Sequence, residues 1–275
     1  MWVITEPMSV EFMQRALCGG LVVAALCAVT GTWVVLRGMA FLGEAMAHGM
    51  LPGVAAAVLL GLPGPAGAMV AAGGMAAGIG VATRRGRVSQ DTAIGLLFVA
   101  MLALGVIIVS AVRAFPVDLS GILFGDILAL HWTDVAVTAL VAAATIGVLA
   151  LAHRPLTALS FDPRIAHTLG LRPRTADAVL LGSLAVAIVA SYQSVGTLLV
   201  VGLMVAPPAA AAAWARSVAT MMLLATAIAG ISVLVGLLVS WHASWAAGAA
   251  IALTAIAAFA VSAGLRAARD RRRRR

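Results

Sequence analysis

Long apolar runs without a charged side chain constrain the fold of this sequence more than any other feature. Three are long enough for one membrane-crossing helix, which takes about 20 apolar residues, and these are residues 17–36, 92–112 and 135–153. Three are long enough for two crossings, and these are residues 45–83, 178–215 and 217–265. Backbone polar groups must be satisfied within lipid, which excludes open strands. The sequence therefore predicts an all-α polytopic membrane protein.

Glycine, proline or polar residues divide each longer run near its middle, at residues 61–65, 194–196 and 240–242. Counted in chain order, the runs give nine transmembrane helices. The division of residues 178–215 is the least defined, and a partial helix there would give eight full crossings. We expect one transmembrane domain over residues 1–265, followed by an arginine-rich tail at residues 266–275.

Arginine alone indicates the orientation, because the chain contains no lysine. With nine crossings, 16 of the 18 arginines lie on one side of the membrane, and only Arg15 and Arg113 lie on the other. Cytoplasmic loops carry the excess of positive charge. The N-terminus is therefore predicted outside and the C-terminus inside.

The net charge of +8 does not indicate a nucleic-acid partner. Five consecutive arginines at residues 271–275 follow the last apolar run. Such a tail is typical of a segment at an anionic inner leaflet, or of a solvated tail that helps to fix orientation. On the other side, acidic residues such as Glu6 and Glu11 make the outer face mildly attractive to cations.

Glu44 and His48 are the most informative charged or titratable pair, since they occur four residues apart in an apolar segment. On a helix they share one face, and a carboxylate with an imidazole suits zinc, manganese or iron. Ionisable residues inside a membrane are functional candidates by default. A structural role is the alternative, because Glu44 could stabilise a helix start through the dipole and His48 could bond a neighbouring helix.

The loop at residues 153–176 is too long for a simple turn on the arginine-rich side. Asp162 and Pro163 are a favourable helix start, and Gly170 would end that helix. A short charged helix here fits either a docking element for a partner or an ordinary amphipathic surface helix.

Polar residues near the outer ends of the helices are further candidates. Asp126 lies in an outer segment, residues 113–134, that is too short to cross the membrane. Gln193 and Thr197 flank the break at residues 194–196 and could line a path, although such groups also hold helices together. Pro207 and Pro208 predict a broken or kinked helix.

Motifs for several activities are absent from the sequence. Without lysine there is no GxxxxGK[ST] phosphate loop, so the chain cannot hydrolyse ATP by that route. There is also no HExxH, GxSxG or CxxC. Active transport would therefore take its energy from a partner or from an ion gradient.

Five segments, in order, resemble the permeases of manganese, zinc and iron ABC importers. They are RGMAFLGEAMAHGMLPGVAAA (residues 37–57), SQDTAIGLLFVAMLALGV (89–106), LFGDILAL (123–130), FDPRIAHTLGL (161–171) and VGTLLVVGLMVAPPAAA (195–211). The resemblance covers nearly the whole chain. It implies the helical type II importer fold, in the plasma membrane of a bacterium.

The resemblance also implies partners. Two permease copies, expected as a homodimer, would surround one path, two cytoplasmic ATPase subunits would drive them, and an extracytoplasmic metal-binding protein would deliver the cation. The permease would not itself be an enzyme and would hold no permanent cofactor. The segment with Phe161, Asp162, Pro163, Arg164 and Gly170 would be the coupling helix that docks in an ATPase subunit.

By the same resemblance, Glu44 and His48 match the acid and histidine that face the path. Two-fold symmetry would then supply two carboxylates and two imidazoles to one transient site. Glu44 stands where aspartate is usual in the family, so its carboxylate lies one methylene further from the backbone.

Two other functions remain open at the level of sequence. A proton-coupled secondary metal-ion transporter could use Glu44 as its titrating group. An intramembrane enzyme could use Glu44 and His48 catalytically, although no substrate pocket is evident. A neighbouring gene for an ATPase with a phosphate loop would favour the ABC importer over both.

Overall fold

The computed structural model describes residues 6–7, 9–84, 89–110, 125–161 and 173–273, and these contain helices and no strand. The helices with described bounds are α1 (Glu11–Leu36), α2 (Ala40–Gly49), α3 (Leu51–Leu59), α4 (Gly64–Arg84), α5 (Gln90–Ser110), α6 (Trp132–Leu151), α7 (His153–Phe161), α8 (Pro173–Val195), α9 (Thr197–Ala212), α10 (Val218–Ala243) and α11 (Ala247–Arg273). A 3₁₀ turn at Ile127–Ala129 precedes α6.

Within the described ranges, eight segments are long and apolar enough to cross a membrane, which confirms the predicted polytopic helical class. The helices α2 and α3 together make one of these segments, Ala40–Leu59. The helix α9 is apolar but has only 16 residues. The nine predicted crossings thus correspond to eight full-length spans and one short helix, which falls in the run whose division the sequence defined least.

The first helix, α1, lies at the centre of the bundle. It packs against α6, α8, α9 and α10, and its side chains Leu26 and Trp33 are completely buried. Its end at Leu36 is therefore held by neighbours on several sides. The turn that follows leads directly into α2, so the start of the helix with Glu44 and His48 is placed by the end of α1.

The span Ala40–Leu59 is divided in two at Met50. Pro52 lies in the first turn of α3, and proline has no N–H to donate to the carbonyl four residues earlier, which here belongs to His48. The helical hydrogen-bond ladder is therefore interrupted immediately after the candidate pair.

The helix α9 continues through Pro207 and Pro208, so these residues do not break it. Pro208 cannot donate to the carbonyl of Met204, and this carbonyl lies against Gly31 of α1. A Cβ on Gly31 would be 1.9 Å from the Met204 oxygen. Close approach to a neighbouring helix is one way in which membrane helices tolerate proline.

The two predicted loop segments are described only in part. On the arginine-rich side, α7 occupies the start of the 153–176 loop, and the predicted helix from Asp162 to Gly170 lies outside the described residues. In the outer segment, the 3₁₀ turn packs on α1, where a Cβ on Gly20 would be 3.3 Å from Ile127 Cδ1.

Two glycines set the contact between α3 and α4. A Cβ on Gly53 would lie 2.1 Å from the carbonyl oxygen of Gly67, and a Cβ on Gly67 would lie 2.0 Å from the carbonyl oxygen of Gly53. The two backbones therefore touch, as in membrane helix pairs built on small residues. This contact anchors the half of the span that follows Met50.

We predict that Gly67→Ala lowers the stability of the protein, because the added methyl group meets backbone that cannot move independently. Overpacking of this kind costs about 1–3 kcal/mol. Gly73→Ala, in the same helix, is the matched control, since a Cβ there meets nothing within 4 Å. Thermal unfolding of the two purified variants in detergent should show a lower midpoint for Gly67→Ala only. Equal midpoints would contradict the close-contact interpretation.

Candidate functional site

Glu44 and His48 form a side-chain pair on α2, as their spacing predicts. The Oε1 atom of Glu44 lies 2.8 Å from Nε2 of His48. The glutamate side chain is 42% exposed and the histidine side chain 22% exposed. Neither is sealed in the interior, so both remain accessible to a ligand.

After the first two residues of α2, the only side of the helix that is not fully buried is the one with Glu44 and His48. Leu42, Ala45, Met46 and Ala47 are fully buried, so the remaining face is the one that carries Glu44 and His48. In a single chain this face is open. A helix that packs tightly everywhere else thus directs its two ionisable groups towards a surface that the chain itself does not cover.

Aromatic rings surround the pair. Phe98 of α5 lies edge-on to His48, with ring centroids 6.0 Å apart, and edge-on to Phe41 at 5.5 Å. The contact with Phe98 limits the orientations of the imidazole and places an apolar surface beside one member of the pair. A low-dielectric wall strengthens the attraction between a carboxylate and a cation.

A single chain supplies two donors of the kinds that transition metals use. In the described ranges, no group of three or more His, Cys, Asp or Glu side chains comes together. A four-coordinate cation at Glu44 and His48 would therefore need further ligands from water or from another chain. Such an open site suits temporary binding better than permanent retention.

Met204 packs beside the pair without taking part in it. Its Sδ atom would lie 3.3 Å from a Cβ on Gly43, and its side chain is completely buried. Its burial indicates a packing role. It also brings α9 directly against α2 next to Glu44.

Asp126, which the sequence predicts on the outer side, has a local structural role. Its carboxylate accepts hydrogen bonds from the N–H groups of Leu128 and Ala129 at 3.2 Å and so caps the 3₁₀ turn. The preceding Gly125 has a positive φ of 60° and abuts the break between α8 and α9, where a Cβ would be 2.2 Å from the nitrogen of Gly196. Asp126 is exposed, so capping leaves it accessible.

The other two outer candidates lie at that same break. Gln193 belongs to the last turn of α8, and Thr197 is the first residue of α9 and is 3% exposed. Gly196 between them has a φ of 78°, which glycine adopts readily. Asp126 and this break are thus neighbours, whereas Glu44 and His48 form a separate group. A path role for Asp126, Gln193 and Thr197 stays a prediction.

Of the candidate coupling residues, the structure describes the backbone of Phe161, which ends α7. Asp162, Pro163, Arg164 and Gly170 lie outside the described residues. Their position in the chain, between α7 and α8, is nevertheless defined. The helix that follows them, α8, packs against α2.

Sequence patterns did not identify an ion pair between Arg37 and Asp177. The Nη1 atom of Arg37 lies 2.5 Å from Oδ1 of Asp177. The two residues are 140 positions apart, so no helical spacing relates them. In the sequence, Arg37 contributes only to the arginine distribution that indicates the membrane orientation. Phe98 was likewise inside a family-like segment without being a candidate.

Comparison with known proteins agrees with this architecture. The model of the ABC 3 transport family matches residues 9–265. The manganese transport system membrane protein MntC of Halalkalibacterium halodurans is 35% identical over 255 residues, which cover 93% of this chain and 87% of that protein. The chelated iron transport system membrane protein YfeD of Yersinia pestis is 34% identical over 259 residues, covering 94% and 87%.

Solved structures share the fold. PsaBC from Streptococcus pneumoniae, in complex with Fab, matches with a TM-score of 0.82 and 34% identity over 94% of each chain. A protein described as a metal-chelate type ABC transporter in an inward-facing conformation matches with a TM-score of 0.74 over 91% of this chain and 85% of that one. At 14% identity the second likeness concerns the fold alone. The chain belongs to the ABC 3 transport family, as a multi-pass permease of the bacterial plasma membrane.

Proposed function

We propose that two copies of this chain form the path of an ABC importer for divalent transition-metal cations, and that Glu44 and His48 bind the cation in passage. The observation that carries this proposal is the 2.8 Å carboxylate–imidazole pair on the open face of α2. In an otherwise apolar helix, two such groups are costly to keep unless they are used. Family membership makes transport the natural use.

The cargo follows from the donor chemistry and from the relatives. A carboxylate oxygen and an imidazole nitrogen suit manganese, iron and zinc. The relatives MntC and YfeD are transport proteins for manganese and chelated iron respectively. Manganese or ferrous iron is therefore the first cargo to test, with zinc as a chemically acceptable competitor.

A second copy would complete the site. Two-fold symmetry around the open face of α2 brings two glutamates and two histidines to one axis. Four donors are enough for one cation, and none is needed from elsewhere in the chain. The site must also release its ion, so moderate affinity and open geometry favour passage.

Energy would come from cytoplasmic ATPase subunits, two in the complete importer. The arginine distribution assigns the 153–176 segment to the cytoplasm and the N-terminus to the outside. An ATPase subunit docked on residues 161–170 would move α8, and α8 packs on the helix of the site. An extracytoplasmic binding protein would deliver the cation to the outer face, where Asp126 is exposed. The path would open alternately to each side.

The proton-coupled secondary carrier is the competing function, and family membership does not favour it. It predicts that a protonophore abolishes metal uptake while ATP depletion has no direct effect. The importer predicts dependence on ATP and on the ATPase gene. Radiolabelled manganese uptake under each treatment separates the two.

We expect Glu44→Gln and His48→Gln to reduce metal accumulation at least about tenfold. Even the loss of a residue that only hydrogen-bonds to a metal ligand typically lowers metal affinity or activity about 10–100-fold. Total cell manganese and iron in a strain lacking its own importer, measured by elemental analysis, provides the test. Copurification of the ATPase subunit should be unchanged. Glu11→Gln, an exposed carboxylate at the start of α1, is the control. Wild-type accumulation in both site variants would rule out the path role.

Glu44→Asp tests the extra methylene of this chain. The shorter side chain restores the family's usual acid, so uptake should persist while the preference between manganese and zinc changes. Competition between the two metals in the same uptake assay measures that preference. An unchanged preference would show that the length of this side chain does not select the metal.

Asp162→Ala and Arg164→Ala should impair transport without preventing binding of the ATPase subunit, since both residues lie in the proposed coupling helix. The variant complex should retain the ATPase subunit but transport little metal for each ATP hydrolysed. Normal transport and normal hydrolysis in both variants would assign the coupling role to another segment.

A further inference from the structure

Arg37 is a buried cation in a chain with few charges. It caps the C-terminal end of α1, and α2 begins three residues later. Its side chain is 9% exposed, whereas that of its partner Asp177 is 48% exposed. Burial of a guanidinium is unfavourable unless it is paired, so Asp177 is needed to hold Arg37 in this position.

The guanidinium has no second partner among the described residues. Its Nε and Nη2 groups are buried and donate no hydrogen bond to a described residue, while Nη1 donates to Oδ1 of Asp177. Separation from Asp177 would leave the whole charge buried and unpaired, which is strongly unfavourable. A displacement of Asp177 must therefore carry Arg37 with it.

Asp177 lies next to the proposed coupling segment, and Arg37 lies next to α2, the helix with Glu44 and His48. Transport would require a connection between these two parts of the chain. Asp177 lies in the first turns of α8, which begins at Pro173, directly after the 162–172 segment. Arg37 begins the short turn into α2, and Glu44 is four residues after the first residue of α2, about 6 Å along the helix. The ion pair thus joins the end of the coupling segment to the start of the metal-site helix.

The turn between Arg37 and α2 is short and hydrogen-bonded. The N–H of Met39 donates to the carbonyl of Val34 at 2.9 Å, and the N–H of Leu42 donates to the carbonyl of Met39 at 2.8 Å. Met39 is buried. The turn between Arg37 and α2 therefore has little conformational freedom, and a displacement of Arg37 is transmitted to α2.

The start of α8 borders a partly open groove on the side of α4. A cavity of about 620 Å³ lies between α4 and α8, with Asp177, Arg174 and Gly182 in its lining. A Cβ on Gly182 would meet nothing within 4 Å. The start of α8 is thus held by the ion pair on one side and is loosely packed on another.

We infer that Arg37 and Asp177 form a mechanical link that transmits displacement of the coupling segment to the metal-site helix, and that both are positioning residues for transport. This inference rests on the proposed function. It assigns no contact with the cation to either residue. The link acts through the cost of separating a buried ion pair.

The test is the double variant Arg37→Met/Asp177→Leu. Replacement of a buried ion pair by apolar residues removes both charges together and is often neutral for stability. A purely structural role therefore predicts normal folding and normal transport. The link predicts normal assembly with the ATPase subunit and at least a roughly tenfold loss in manganese accumulated per ATP hydrolysed, the scale of a coupling free energy.

The measurement uses the complete importer in proteoliposomes, with manganese as the transported ion. Asp270→Asn, an exposed carboxylate near the end of α11, is the control and should match wild type. An unchanged ratio of manganese to ATP in the double variant overturns the link. Failure of the wild-type importer to accumulate manganese, ferrous iron or zinc would instead overturn the proposed function.

A second variant tests the link if the double variant does not assemble with the ATPase subunit. Asp177→Asn keeps the size of this half-exposed side chain and an acceptor oxygen for Arg37 but removes the carboxylate charge, so the protein should fold with a weaker pair. The link predicts a lower ratio of manganese to ATP at wild-type assembly. A wild-type ratio in Asp177→Asn overturns the link.

Discussion

The low dielectric constant of the bilayer is the constraint on which the rest of this structure depends. It makes every unpaired backbone group and every charge expensive. The described part of the chain meets it mostly with helices. Where backbone hydrogen bonding is interrupted inside the bundle, neighbouring backbone can lie close, as at the Met204 carbonyl freed by Pro208 against Gly31 and at Gly196 against Gly125. Charged side chains are further departures from a plain apolar bundle.

Two of these departures involve charge, and they differ in a useful way. Arg37 is buried, and its partner Asp177 is 140 positions away in the sequence. That pair therefore connects two helices that are distant in the chain. Glu44 and His48 lie on a single helix and remain partly exposed, so that pair holds nothing together across the fold. A local, accessible pair is free to exchange its mutual contact for a bound cation. A long-range, buried pair is not.

Much of this could be predicted from the sequence because the physics is local. Apolar length predicts the helices, the Gly and Pro cluster at residues 61–65 marks the turn between α3 and α4, and the spacing of Glu44 and His48 predicts their contact. The length of α9 could not be predicted, since an apolar run of 38 residues (178–215) does not reveal how it is divided. The pairing of Arg37 with Asp177 depends on tertiary packing and leaves no periodic signal. The continuity of α9 through Pro207 and Pro208 depends on a glycine in another helix.

The division of the second span at Met50 has a mechanical consequence. The half from Leu51 onward is fixed to α4 through the backbone contact of Gly53 with Gly67. The half with Glu44 and His48 lacks the hydrogen bond that would stiffen the junction, because Pro52 cannot donate it. The span therefore consists of two helical arms, and the hydrogen-bond ladder is interrupted between them. Glu44 and His48 belong to the arm before the interruption, so their orientation depends on the contacts of that arm with α5, α8 and α9 and not on a continuous ladder from the anchored arm.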